Sequence, residues 1–285
     1  AVRHHQVVVI EGPTGSGKTT QLPQMLLEAG ITDKAIGLTQ PRRIAATSVC
    51  WRIAAEMGVE VGTEVGYTIR FDDCSSAATR IRVMTDGILL QLAREQHDFE
   101  YYGVIIIDEA HERSLNIDFL LGLLHRAVRV RADLRVVISS ATIDPELFVR
   151  FFAGLGTQVP KVHIDSRPHP VEIRYEVPRS SDPDDILDSA AWEIEAICNS
   201  GEPGHVLVFL SGEAAIRGVT QRLTNMGIDR RVAIMPLYGA LKREDQEAIF
   251  SEVGRRKVVL TTNIAETSIT VPDVRFVLDS GVAKV

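Results

Sequence analysis

The sequence predicts an α/β fold of two domains, each a parallel sheet flanked by helices, the second of them incomplete. Three observations predict it. Short β-branched runs alternate with longer stretches of helical periodicity almost throughout, and strand–helix alternation builds βαβ units. The runs are continuously apolar, as strands buried on both faces are. The chain has 285 residues, more than one typical core holds and suited to two domains of about 100–200 residues.

Residues 7–10, 35–39, 104–108 and 135–139 read as buried strands, apolar and bounded by turn residues. Helical patterns fill 19–29, 44–57, 86–94 and 115–130. In the last, Leu115, Phe119, Leu120, Leu123, Leu124 and Ala127 recur at i+3 and i+4 spacing. The ladder pauses at the proline-bearing stretches 167–170 and 178–183. It resumes with a strand at 205–210, a helix from Glu213, a strand at 231–235, a helix from Lys242, and strands at 257–261 and 274–279. These pauses place a boundary at 178, giving domains 1–178 and 179–285. The second stops directly after a strand.

Composition narrows the function classes. With 31 Lys+Arg against 38 Asp+Glu the formal charge is −7, and 45% of residues are apolar, which excludes disordered, collagenous and disulfide-framework classes. No apolar run approaches the roughly 18 residues of a membrane span, so no membrane partner is expected. Cys50, Cys74 and Cys198 are scattered without CxxC spacing, pointing to a reducing cytoplasm and no metal cluster. The acidic balance speaks against indiscriminate nucleic-acid binding but leaves room for a local basic path.

Gly12-Pro13-Thr14-Gly15-Ser16-Gly17-Lys18-Thr19 fits G-x-x-x-x-G-K-[ST] between a strand and a helix, the context a phosphate loop needs. Its glycines let successive N–H groups turn inward, so Gly15, Ser16, Gly17, Lys18, Thr19 and Thr20 are the expected phosphate cradle. Lys18 adds a charge at the β/γ-phosphates, Thr19 a hydroxyl for Mg²⁺, and the helix N-terminus a partial positive charge. The strand at 104–108 delivers Asp108 and then Glu109. Asp108 is placed to hold Mg²⁺, and Glu109 to orient or deprotonate an attacking water, close enough to share in the metal site. Because ligands of open α/β sheets bind at the carboxyl ends of strands, both motifs converge on one crevice. The expected cofactors are therefore ATP, or another nucleoside triphosphate, and Mg²⁺.

Asp108-Glu109-Ala110-His111 resembles motif II of the DEAH-box helicases, a superfamily 2 group. Residues 39–46, 84–90, 140–142, 208–212 and 262–268 are similar to that family's motifs Ia, Ib, III, IV and V, in order. Within the family the chain is most similar to the bacterial HrpA-type RNA helicases. The resemblance implies two RecA-like domains that hydrolyse nucleotide in the cleft between them and move along single-stranded RNA, unwinding RNA duplexes. It implies RNA or ribonucleoprotein as partner; nothing in the sequence demands an oligomer, and a monomer is expected. It places Arg42, Arg43, Thr85, Ser211 and Thr262 near the RNA backbone, where arginines and hydroxyls grip phosphate without reading sequence. Ser140 and Thr142 would couple the nucleotide site to domain movement, with His111 joining across the cleft. Arg52 and Phe250 resemble the pair that sandwiches the base; Phe250 fits equally a core aromatic of its helix.

Clustered charges at Arg126, Arg129, Arg131 and Arg135 read as a solvated face. One of the pairs or triplets Arg230-Arg231, Lys242-Arg243 and Arg255-Arg256-Lys257 is expected to line the RNA path. The family's motif VI, Q-R-x-G-R-x-G-R, does not occur in the sequence, and an arginine supplied that way is worth about 10³–10⁵ in turnover. The expectation is a piece of a longer helicase that binds nucleotide and Mg²⁺ but turns over weakly and unwinds nothing alone. Two other readings stand beside it: a nucleotide-dependent RNA clamp without unwinding, and a DNA translocase or other P-loop ATPase, since phosphate grips alone do not tell RNA from DNA.

Overall fold

The computed structural model describes residues 1–285 apart from 14, 96, 142–144, 155, 157, 166–169, 179, 181, 266–270 and 283–285. The chain divides into two compact units, Ala1–Pro170 and Val171–Val285, against a boundary at 178 read from the sequence.

The first unit runs β1 (Val7–Glu11), α1 (Lys18–Glu28), β2 (Ala35–Gln40), α2 (Arg43–Met57), β3 (Val65–Ile69), β4 (Asp72–Cys74), β5 (Ile81–Thr85), α3 (Asp86–Glu95), β6 (Tyr102–Ile107), α4 (Leu115–Val130), β7 (Arg135–Ser140), α5 (Pro145–Ala153) and β8 (Lys161–His163). Among the described residues these strands form one eight-stranded sheet in the order β4-β3-β5-β2-β6-β7-β1-β8. All its pairs are parallel except β3 with β4, which is antiparallel.

Burial explains the continuous apolar runs. Val7 and Val9 of β1 and Ile105 and Ile107 of β6 pack with Leu120 and Leu124 of α4 and Phe148 and Phe152 of α5. Val8 and Ile10, with Val104 and Ile106, face the other way and meet Leu26 of α1 and Ile53 of α2. Successive residues of one strand thus enter different cores.

The same order positions the chemistry. In register, Gln40 lies beside Thr85, Thr39 beside Ile107, Ile107 beside Ile138, and Glu11 beside Ser140. The carboxyl ends of β5, β2, β6, β7 and β1 therefore stand in a row, about 4.8 Å apart from strand to strand. Thr85, Gln40, Asp108, Ser140 and Gly12 sit along one edge.

The second unit runs α6 (Pro183–Asn199), β9 (His205–Phe209), α7 (Glu213–Asn225), β10 (Ala233–Leu237), α8 (Arg243–Glu247), β11 (Lys257–Thr261) and β12 (Val274–Asp279). Its described strands form a parallel four-stranded sheet, β10-β11-β9-β12. Val206, Val208, Val258 and Leu260 pack against Ala190 and Ile194 of α6 and Ile216 and Val219 of α7.

Several elements differ from the sequence expectation. The strand expected to reach Asp108 ends at Ile107, because Glu109 turns left-handed. The strand expected at 231–235 lies at Ala233–Leu237; amides of Arg231 and Val232 both bond to the Ile228 carbonyl and hold the chain in a turn. Helix α6 starts inside the stretch read as a pause: Asp182 caps it, accepting from the Asp184 amide at 2.9 Å, and Pro183 is its first residue. Among the described residues no helix is long and apolar enough to cross a membrane.

Gly103, where β6 enters the sheet, has no room for a side chain. A Cβ there would lie 1.8 Å from Thr32 Oγ1 and 2.6 Å from Thr32 Cβ, and Thr32 is itself engaged, accepting from the Lys34 amide. Gly103→Ala is expected to cost about 1–3 kcal/mol in a urea denaturation; a loss below about 0.5 kcal/mol, typical of an open surface position, would contradict the close approach.

Candidate functional site

The phosphate loop follows β1 and ends in α1. Gly15 and Gly17 both have φ of 80°, a conformation glycine adopts without a Cβ penalty, and Gly17 is the residue from which α1 springs, with no side-chain cap. The first amides of α1 are thus left to face whatever occupies the loop. Lys18 Nζ donates to the carbonyl oxygens of Gly12 (2.5 Å) and Pro13 (2.9 Å) and to Ser16 Oγ (3.3 Å). Burial pulls its pKa down, opposed by the nearby charges of Asp108 and Glu109.

One contact joins this loop to a segment ninety residues away. Thr19 Oγ1 donates to Asp108 Oδ2 at 2.6 Å. Gln40 Nε2, at the end of β2, donates to the same oxygen at 2.8 Å. Asp108 and Gln40 are both 1% exposed, and a carboxylate so buried needs such donors. Gln40 lay within a motif noted in the sequence but was not singled out. A glutamine closing an otherwise buried strand beside the strand that delivers an acid was the available signal.

Beyond Asp108 the chain turns sharply. Glu109 and Arg113 have φ of 49° and 48°, left-handed values that cost a non-glycine residue about 1–2 kcal/mol each. They flank a short 3₁₀ turn, Ala110–Glu112, after which Ser114 Oγ caps α4 through the Ile117 amide. Burial, reinforced by Asp108, pushes the Glu109 carboxyl up to about 7, with Lys18 acting the other way. His111 Nε2 lies 3.4 Å from Glu109 Oε2, and its Nδ1 accepts from the Ala141 amide at 3.3 Å. His111 therefore links the acid pair to the end of β7 inside the first unit. Ser140 is buried there, its Oγ donating to the Ala141 carbonyl; Thr142 lies outside the described residues.

The positions expected to face RNA fall in both units. Arg43 and Thr85 line a surface hollow of about 340 Å³ with Pro41, Asp86 and Gly87, two strands along the sheet edge from Asp108. Arg42 precedes α2 with extended backbone. Ser211 follows β9 and Thr262 follows β11, the Thr262 amide bonding to the Leu237 carbonyl. Arg52 is exposed on α2, and Phe250 is half-buried in a 3₁₀ turn, Ala248–Phe250, rather than in a longer helix.

Two basic groups read differently in the structure. Arg131, placed in a solvated face by sequence, is largely buried and donates to the carbonyls of Asp98 and Phe99 and to Asp133. In the triplet 255–257, Lys257 is 3% exposed with Nζ on the Ile249 carbonyl, and Arg256 and Arg255 donate to carbonyls of Ile197, Glu202 and Asp229. Those cations hold loops of their own unit.

Asp86, first residue of α3, is the group sequence reasoning missed. It is 3% exposed, and its Oδ1 is buried without a hydrogen-bond partner. Burial raises its pKa to about 6; the Thr39 hydroxyl acts the other way, and Glu112 and Asp108 add to the rise. A carboxyl whose folded pKa exceeds its unfolded value destabilises the fold once it ionises. The destabilisation is absent below about pH 4, grows between about pH 4 and 6, and stays constant at higher pH. Asp86→Asn is therefore expected to be near neutral at pH 4 and to stabilise by about 1–3 kcal/mol at pH 8 in denaturant titrations. Equal effects at both pH values would contradict the assignment.

Comparison with known proteins places this geometry. The description "DEAD/DEAH box helicase" matches residues 1–148, and "Helicase conserved C-terminal domain" matches residues 190–284. The chain is 43% identical, over 99% of its length, to a Borreliella burgdorferi protein named ATP-dependent RNA helicase HrpA, and 44% identical, over its full length, to the Escherichia coli protein of that name. It spans 34% and 22% of those relatives. It superimposes with a TM-score of 0.84 and 35% identity on the crystal structure of Escherichia coli DEAH/RHA helicase HrpB, covering all of this chain and 36% of that one. The two α/β units match the RecA-like helicase fold, and the chain belongs to the DEAD/DEAH box helicase family.

Proposed function

We propose that the chain is the motor core of an ATP-dependent RNA helicase, binding and hydrolysing nucleoside triphosphate and coupling that reaction to movement on single-stranded RNA. The observation that carries the reading is the Thr19–Asp108 hydrogen bond of 2.6 Å, which makes the phosphate loop and the acid pair one site. The names of the relatives, ATP-dependent RNA helicases, supply the substrate class.

The triphosphate lies on the Gly15–Thr20 amides with Lys18 at its terminal phosphates. Thr19 and Asp108 offer a hydroxyl and a carboxylate, the hard oxygen donors that Mg²⁺ prefers, so the residues fit that ion; bound there it would neutralise charge on the β- and γ-oxygens. Gln40 fixes Asp108 in orientation. Glu109 accepts the proton of a water that attacks the γ-phosphorus, while the bond to the bridging oxygen breaks and the diphosphate leaves. Arg42, Arg43 and Thr85, with Ser211 and Thr262, grip the RNA backbone. Since Thr85 ends the strand two places from β6, RNA and nucleotide bias opposite stretches of one rigid sheet edge. These backbone contacts are the same for free RNA and for RNA within ribonucleoprotein.

The test is phosphate release with and without single-stranded RNA, on this chain and on a longer chain carrying the motif VI arginines, with Glu109→Gln as the blank. RNA is expected to stimulate the longer chain, this chain to stay within about tenfold of the blank, and Glu109→Gln to lower the longer chain's turnover about 10²–10⁴-fold while nucleotide still binds. Stimulation of neither chain by RNA, with stimulation by DNA of the same sequence, would overturn the RNA assignment.

A further inference from the structure

The base-stacking position at Arg52 is fastened by a carboxylate that the hydrolysis scheme leaves unused. Glu56 follows Arg52 by one turn on α2 and gathers three donors. Arg52 Nε reaches its Oε1 at 2.5 Å, and Gln21 Nε2 and Gln24 Nε2 each reach its Oε2 at 2.7 Å. Gln24 Nε2 also donates to the Thr20 carbonyl at 2.9 Å. Both glutamines belong to α1, the helix that begins at Lys18. The cluster therefore ties a side chain of α2 to the helix that carries the phosphate cradle.

The cluster is not explained by helix stability. Glu56 stands in the last turn of α2, where the helix dipole disfavours an anion, and the Arg-before-Glu order is the weaker orientation for an i, i+4 pair. Burial alone would raise the Glu56 pKa, yet the hydrogen bonds from Arg52, Gln24 and Gln21 hold it below the usual range. The Glu56 side chain is 22% exposed while that of Arg52 is 63% exposed. A hydrogen bond from Nε lies in the guanidinium plane, so Glu56 holds Arg52 by its edge and leaves its faces open, and it is the face on which a base stacks.

We propose that Glu56 is a positioning residue for the nucleotide base: with Gln21 and Gln24 it locks the Arg52 guanidinium to α1, so that stacking face and phosphate cradle form one frame. This rests on the reading of Arg52 as a base-stacking residue. Glu56 touches no nucleotide atom; its effect is on where Arg52 stands before the base arrives, which is preorganisation.

The test compares two ligands on each sample, both with Mg²⁺: the non-hydrolysable AMP-PNP, and inorganic tripolyphosphate, which has no base. Partial unfolding lowers both alike, so their ratio isolates the base. Arg52→Ala is expected to weaken AMP-PNP about tenfold, a size ordinary for a cation–π contact, and to leave tripolyphosphate unchanged. Glu56→Ala is expected to weaken AMP-PNP about three- to tenfold with tripolyphosphate unchanged, and Glu56→Gln, which keeps an acceptor for Nε, to recover part of the loss. The double variant should bind no worse than Arg52→Ala alone. If Arg52→Ala loses base-dependent affinity and Glu56→Ala does not, the positioning role fails and the stacking reading stands. If Arg52→Ala binds both ligands normally, the stacking reading fails. Equal weakening of both ligands by Glu56→Ala, or an additive loss in the double variant, would also overturn the proposal.

Discussion

A hydrogen bond of 2.6 Å between Thr19 and Asp108 is the constraint on which the rest of the site depends. It exists because the sheet places β6 two strands from β1, with β7 between them. The strands are parallel, so every loop that leaves a carboxyl end leaves on the same side. Gly12, Ser140, Asp108, Gln40 and Thr85 are thereby brought to one edge from five separate stretches of sequence. No single segment could make the site, and a shift of one strand by one residue would turn its functional side chain into the opposite core.

The acid pair shows what that edge demands. Asp108 is satisfied by two donors, whereas Glu109 is left in a left-handed backbone conformation, partly buried beside a like charge. Both features run against folding and are sustained by the strands on either side. His111 and Ala141 brace the turn from β7. Strained backbone and perturbed ionisation tend to cluster at functional sites, and here both fall on the residues where β6 ends.

Much of this was legible in the sequence. Strands such as β1 were legible because four apolar residues in succession, bounded by turn residues, fit a strand buried on both faces, and the phosphate loop and the acid pair were recognisable from their residue pattern. Helix α4 was readable to its ends from its apolar stripe. Strands β3 and β5 and helix α5 were not read, although β-branched or aromatic residues fill them; the other elements that stayed hidden had weak local signals. The three-residue β4 is entirely polar or cysteine, and β8 is just as short; both depend on a neighbouring strand already being in place. Helix α6 was masked by prolines that signal a pause and a helix start alike. Gln40 and Glu56 are ordinary polar residues until the fold sets partners around them, and Asp86, Arg131 and Lys257 look like surface charge until the fold buries them.

The claim that two segments far apart in sequence make one nucleotide site is tested most directly by mapping backbone amide shifts as MgADP is titrated into the isotope-labelled chain. The account predicts that amides of Gly15–Thr20 and of Asp108–His111 move together, along one binding curve, and that Lys18→Ala abolishes both sets of changes. Shifts confined to one segment, or two segments saturating at different nucleotide concentrations, would contradict it.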